Sequence, residues 1–147
     1  MQGSIAMSAK VKRRNNYTMN SEIQAYNENK TPDRKAICDR LYREISAAFS
    51  DADNKLWHGA PVWFLEGNPI VGYHNLKKGI RLLFWSGQSF NETGLKTEGT
   101  FKAAGVTYKD VEEVNSIEVQ RWLQKSQTIQ WDYKNLMRNG RLIEIVK

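Results

Sequence analysis

Cysteine is nearly missing from this chain: Cys38 is the single thiol in 147 residues. One thiol excludes an intramolecular disulfide framework, a multi-thiolate zinc cluster and a complete iron–sulfur ligand set, and it suits a reducing, cytoplasmic setting. No apolar run approaches the ~18 residues that a membrane span needs, and the N-terminus lacks the continuous apolar segment of a secretory signal. A soluble protein with no membrane partner is therefore expected. Glycine spacing matches no phosphate-cradling loop opening a helix, which excludes a nucleotide-hydrolysis signature. Histidine is limited to His58 and His74, so any imidazole chemistry rests on that pair.

A dominant charge is also missing. Lys and Arg total 22 against 16 Asp and Glu, a net +6. Residues 1–30 hold five basic and two acidic side chains (+3), residues 140–147 hold two and one (+1), and residues 31–139 hold 15 and 13 (+2). The body is thus nearly neutral with basic ends, which argues against a dedicated nucleic-acid-binding domain. Length and a 40% hydrophobic fraction fit one globular domain.

Residues 1–30 are polar, rich in Asn, Ser, Lys and Arg, and are expected to be a flexible tail. Its opening Met1-Gln2-Gly3-Ser4 reads as an appended leader, and Lys10, Lys12, Arg13 and Arg14 form a short basic cluster. Thr31-Pro32-Asp33 then writes a helix start, with a capping hydroxyl, a proline at the first helical position and an acid at the positive end of the dipole. The helix is expected to reach about Phe49, with Ile37, Leu41, Ile45 and Phe49 at i+4 steps as its core stripe and Cys38 at the edge. A buried thiol there acts as a small hydrophobe.

From Leu56 to Trp85, short β-branched and aromatic runs separated by turn residues predict a meander of three antiparallel strands, Pro61–Leu65, Ile70–His74 and Ile80–Trp85. Pairing Phe64 with Val71 and Val71 with Leu83 gives each sheet face its residues. Trp63, Leu65, Ile70, His74, Ile80, Leu82 and Phe84 would lie under the helices. Val62, Phe64, Val71, Tyr73, Arg81, Leu83 and Trp85 would lie on the open face. Residues 87–98 read as a polar loop and Val106–Tyr108 as a further strand. Asn115 and Glu118 form a capping-box pattern before a final helical region reaching about Asn139, with Gly140 as its stop and Ser126-Gln127-Thr128 as a break point. The domain is accordingly placed at residues 31–140, with a C-terminal tail over 141–147. The fold class is α+β, an antiparallel sheet covered on one side by N- and C-terminal helices.

The block Trp57-His58-Gly59-Ala60-Pro61-Val62-Trp63-Phe64 resembles a bacterial family of domains of unknown function typified by the YdhG-like proteins. So do Gly67-Asn68-Pro69-Ile70-Val71-Gly72-Tyr73, Leu83-Phe84-Trp85-Ser86-Gly87 and Trp131-Asp132-Tyr133-Lys134-Asn135. The resemblance covers roughly residues 20–140 and implies a frataxin-like sandwich. Some members of that wider group are described as iron-binding, so iron is the cofactor the resemblance implies. Such binding uses a ridge of carboxylates on the first helix and the adjoining edge strand. Here Asp33, Asp39 and Glu44, then Asp51 and Asp53, are interleaved with basic residues.

Three site expectations follow. His58 and His74, with Asp51 or Asp53, form a candidate metal or acid–base site, against the commoner role of turn histidines as hydrogen-bonded structural groups. Trp57, His58, Phe64, Tyr73, Arg81 and Trp85 form a candidate ligand face, on which aromatics would stack a planar anionic molecule or single-stranded nucleic acid while Arg81 supplies charge. Trp131 falls off the final helix's inner stripe, which would either expose it for a partner or fold it over the last residues or the tail, and an exposed aromatic face would equally serve a homodimer. The function expected is that of a non-enzymatic binding or accessory protein.

Overall fold

The computed structural model describes residues 19–146. The fold begins earlier than the composition suggests. Helix α1 (Ser21–Glu28) is capped by Asn20, whose side chain accepts the Glu22 and Ile23 amides. Ile23 is fully buried, and Asn27 is buried beside it. Residues 19–30 therefore belong to the domain rather than to a tail; a single apolar anchor and a cap suffice where periodicity over eight residues was too short to read. The basic cluster at Lys10–Arg14 lies outside the described residues.

Helix α2 (Pro32–Ala48) matches the expected span and buries Ile37, Cys38, Leu41 and Ile45. Thr31 stands at the N-cap position, yet its hydroxyl donates to the Asp33 carboxylate at 2.7 Å instead of capping an amide.

The sheet has six antiparallel strands in the order β1-β2-β3-β4-β6-β5. They are β1 (Asp53–Trp57), β2 (Ala60–Leu65), β3 (Asn68–Leu76), β4 (Gly79–Phe84), β5 (Lys96–Thr97) and β6 (Ala104–Tyr108). Part of the segment expected to be a polar loop over 87–98 is thus a short edge strand. The expected register is off by one on both sides of β3: Val71 faces Trp63 and Phe84, while Leu83 faces Gly72. Two local features cause the slip. A two-residue turn at Lys77-Lys78 replaces the longer loop that the sequence suggested, and a bulge between Trp63 and Phe64 places Phe64 opposite Pro69. Proline has no N–H for the ladder and is tolerated at such irregularities.

A one-residue slip exchanges faces. The faces of β2 and β4 stand as expected, and Ile70 stays in the core, but from Val71 onward those of β3 exchange. Val71 and Tyr73 join Trp63, Ile80, Leu82 and Phe84 beneath the helices, and His74 moves to the uncovered side with Val62, Gly72, Arg81 and Leu83. Tyr73 is sealed there by its hydroxyl, which donates to Asn27 Oδ1 at 2.8 Å.

The final helical region is shorter than expected. Helix α3 (Ser116–Ser126) starts on Asn115, which accepts the Glu118 amide, and it stops where Ser126-Gln127-Thr128 marks a break. Strand β7 (Gln130–Trp131), a short helix α4 (Leu136–Asn139) closed by left-handed Gly140, and strand β8 (Glu144–Ile145) follow. β7 pairs with β8, so Glu144 and Ile145, expected in a tail, belong to the fold. The buried Asn68 side chain explains the departure. Its Nδ2 donates to the Trp131 carbonyl, and its Oδ1 accepts the Tyr133 and Lys134 amides, which ties this segment to the β2–β3 turn. Sequence-distant hydrogen bonds of this kind leave no periodic trace.

Helices α2 and α3 pack together over one face through Arg40, which reaches Ser116 Oγ and the Val114 carbonyl, and through Gln120, which donates to Glu44. The loop before β5 is held to α3 by Glu92, which accepts from Arg121, Lys125 and Trp122 Nε1. Among the described residues no helix is long and apolar enough to cross a membrane.

Candidate functional site

The helices leave one sheet face uncovered, and its centre holds a hollow of about 140 Å³. The β1–β2 hairpin makes one wall. Its two-residue turn, His58-Gly59, has positive φ at both positions (53° and 81°), the geometry that matches the twist of paired strands. The turn sets the His58 ring on Trp57, with centroids 4.4 Å apart. Trp57 meets Phe64 edge-on at 5.4 Å and inclines toward Trp85 at 6.1 Å and 41°. Val62, Gly72 and Leu83 line the hollow between these aromatics. A Cβ on Gly72 would come within 2.4 Å of the Pro61 carbonyl oxygen, so only glycine lets β2 approach here, and it leaves the sheet bare at that point.

The polar lining consists of His58, His74 and Arg81. His74 and Arg81 are cross-strand partners. Partial desolvation, reinforced by the nearby charges of Arg81 and Lys30, lowers the His74 pKa from its ordinary value, which favours a neutral imidazole at neutral pH. Arg81 Nη1 meets Glu98 Oε1 at 3.4 Å, longer than a well-formed charge-assisted bond. Arg81 Nε is buried and has no acceptor. An unmatched buried donor on a charged group is costly.

Of the expected ligand face, Trp57, His58, Arg81 and Trp85 come together around the hollow. Phe64 stands behind Trp57 with Lys55 over its ring, and it supports that wall without lining the hollow. Tyr73 borders the hollow, but its phenol is directed to Asn27 under the helices and offers no stacking surface. Leu83 stands on the open face as expected, whereas Gly72 and Glu98 were missed. A glycine inside a strand pattern is a recognised mark of close backbone approach, whereas nothing local ties Glu98 to Arg81.

The expected metal set does not assemble. His58 and His74 line the same hollow, but Asp53 is at the opposite end of β1, facing Phe64. Four residues of strand separate it from Trp57, about 13 Å, and Asp51 lies beyond it. Among the described residues no group of three or more His, Cys, Asp or Glu side chains is placed to hold a metal ion. The acids of α2 are engaged elsewhere. Asp39 takes Lys35 at 2.6 Å and Asn27 at 3.1 Å, and Glu44 takes Arg40, Gln120 and Ser116. These residues do not fit iron.

Cys38 is fully buried, and burial pushes its thiol up to about 12, which leaves no thiolate at neutral pH. Trp131 is half-buried: its Nε1 donates to Ser89 Oγ at 3.0 Å, and Lys102 lies over its ring at 4.6 Å. Its place off the helical stripe reflects its pairing with Glu144, which folds it against the last residues.

No protein-family model matches the sequence, and no curated protein matches it. Among solved structures, the chain is similar to a crystal structure of YdhG from Bacillus subtilis, a protein of the DUF1801 family, with a TM-score of 0.55 and 10% identity over 82% of this chain and 92% of that one. At that identity the likeness concerns architecture. Helices over one side of an antiparallel sheet, with the opposite face bare, thus give this chain the fold of the DUF1801 protein YdhG.

Proposed function

We propose that this chain is a non-enzymatic binding domain whose ligand is a small planar anion seated on the uncovered sheet face. The observation that carries the reading is the convergence of Trp57 and Trp85 with Arg81 and His74 around one hollow. Small-molecule sites are concave, mostly apolar and furnished with a few placed polar groups, and this hollow has that composition. Apolar walls give affinity to the flat body of a ligand, while the guanidinium fork suits a carboxylate or phosphate.

Two features favour binding over catalysis. Among the described residues, neither histidine of the hollow has a carboxylate hydrogen-bonded to orient it, as an acid–base pair needs. Cys38 is buried on the core side of α2, away from the uncovered face. The near balance of charge over residues 31–139 favours a small anion over a polynucleotide, whose binding relies on many phosphate contacts.

Intrinsic tryptophan fluorescence followed during titration with one- and two-ring carboxylates and phosphates tests the reading. A saturable change that disappears in Trp57→Ala and weakens with added salt is expected. Absence of saturation for every compound would refute it.

A further inference from the structure

We propose that Leu83 sets the size of ligand that the hollow accepts, holding it to one ring and excluding fused two-ring bodies. The inference rests on the binding reading above and deepens it by naming the residue that selects among planar anions.

The hollow is small. An apolar cavity of about 150 Å³ holds one benzene ring, and this one measures about 140 Å³. Its walls differ in how firmly they are held. Toward β1 the wall is braced, because Trp57 meets His58, Phe64 and Trp85 at centroid distances of 4.4, 5.4 and 6.1 Å. Shifting that indole to admit a larger ligand breaks several aromatic contacts at once.

Toward β6 the wall is a single side chain. Leu83 lies on β4 between Gly72 of β3 and Gly105 of β6, its two cross-strand partners. Directly opposed residues of an antiparallel pair share a face, so neither adjoining strand sets a side chain beside Leu83 in that row. Leu83 leans toward β6: a Cβ added to Gly105 would lie 3.3 Å from its Cδ1 and 3.5 Å from Arg81 Cγ. These two side chains roof the buried Gly105 backbone. Beyond Leu83 the sheet therefore continues as backbone without a Cβ.

Truncating Leu83 to alanine removes three carbons and joins the hollow to the strip above Gly105. The added space runs across the sheet, in line with a ring seated beside Trp57 and Trp85, and a second fused ring fits along it. Leu83 is half-buried and stands outside the core beneath the helices, so the change leaves that core intact.

Calorimetric titration of the full chain with benzoate and 2-naphthoate tests the proposal. The two ligands carry equal charge, so the ratio of their affinities reads size. Wild type should bind benzoate about ten-fold more tightly than 2-naphthoate. Leu83→Ala should shift that ratio about ten-fold or more toward 2-naphthoate, the range that small changes in an apolar pocket command. Leu83→Val should shift it the same way by less, and it carries the test if thermal melting shows the alanine variant unfolded. An unchanged ratio in the folded variants, or equal binding of both ligands by wild type, overturns the role of Leu83 and leaves the binding reading standing. No saturable binding of either ligand by wild type also overturns it, and if the wider set of carboxylates and phosphates fails to bind as well, the reading of the face falls with it.

Discussion

His74 and Arg81 stand opposite each other on β3 and β4, both on the side of the sheet that no helix covers. The pairing puts a titratable imidazole beside the guanidinium at the hollow and links anion binding to pH. Desolvation, Arg81 and Lys30 together lower the His74 pKa, so the ring is neutral at about pH 7.5 and gains charge only below its ordinary value of 6.5. A bound anion favours the charged ring. Affinity for a one-ring carboxylate, itself ionised throughout this range, should rise several-fold between about pH 7.5 and about pH 5.5. In His74→Gln the rise over this range should be smaller.

Trp85 and Arg81 contribute through different physics, which salt separates. Trp85→Ala removes apolar contact and should weaken an aromatic carboxylate by about ten-fold at any ionic strength. Arg81→Ala should weaken it by a similar factor and also abolish most of the salt dependence. Titration at low and high salt reads both effects.

Tyr73 tests the corrected register of β3. Its hydroxyl is buried against Asn27 beneath the helices. Tyr73→Phe leaves that oxygen acceptor without its donor and should cost about 1–3 kcal/mol in chemical denaturation. Ligand affinity should not change, whereas a phenol on the open face would give the reverse pattern.

Ile23 tests where the domain begins. It is fully buried against the core although it lies in a segment whose composition reads as a tail. Ile23→Ala should destabilise the fold by about 2–4 kcal/mol, the cost of emptying a core position, whereas a residue in a solvated tail would show no effect.

Glu92 governs behaviour in acid. Hydrogen bonds from Arg121 and Lys125 hold its carboxyl well below the usual carboxylate range. Because the folded state binds this proton less readily than the unfolded chain, the stabilisation is complete above the ordinary value of 4.5 and is lost as pH falls below it. Glu92→Gln should lower stability at neutral pH by about 1–3 kcal/mol, since a neutral amide replaces the acceptor of three donors. It should also flatten the decline between about pH 4.5 and about pH 2, as followed by thermal melting.

The sequence made the larger elements legible because each repeats a simple period. The i+4 stripe of Ile37, Leu41 and Ile45 marks α2, and Asn115 marks the start of α3. Trp57, His58, Arg81 and Trp85 were also identifiable as residues of one face. What stayed hidden depends on contacts far apart in the chain. Pro69 opposite Phe64 and the two-residue turn at Lys77-Lys78 fix the register of β3, and one residue of slip moves Tyr73 and His74 to opposite faces. Asn68 draws Trp131 and Tyr133 to the sheet and ends the helical pattern early. Glu98 reaches Arg81 only because β5 and β6 place it there.

Nitrogen-15 NMR shift mapping during benzoate titration addresses the open-face site most directly, because it reads the position of the ligand and its anchoring group together. The expected result is saturable shifts concentrated at the Gly72, His74 and Leu83 amides, with an accompanying shift at the Arg81 guanidinium. Shifts confined to the helical face, or none at saturating benzoate, would contradict a ligand site between Trp57 and Trp85.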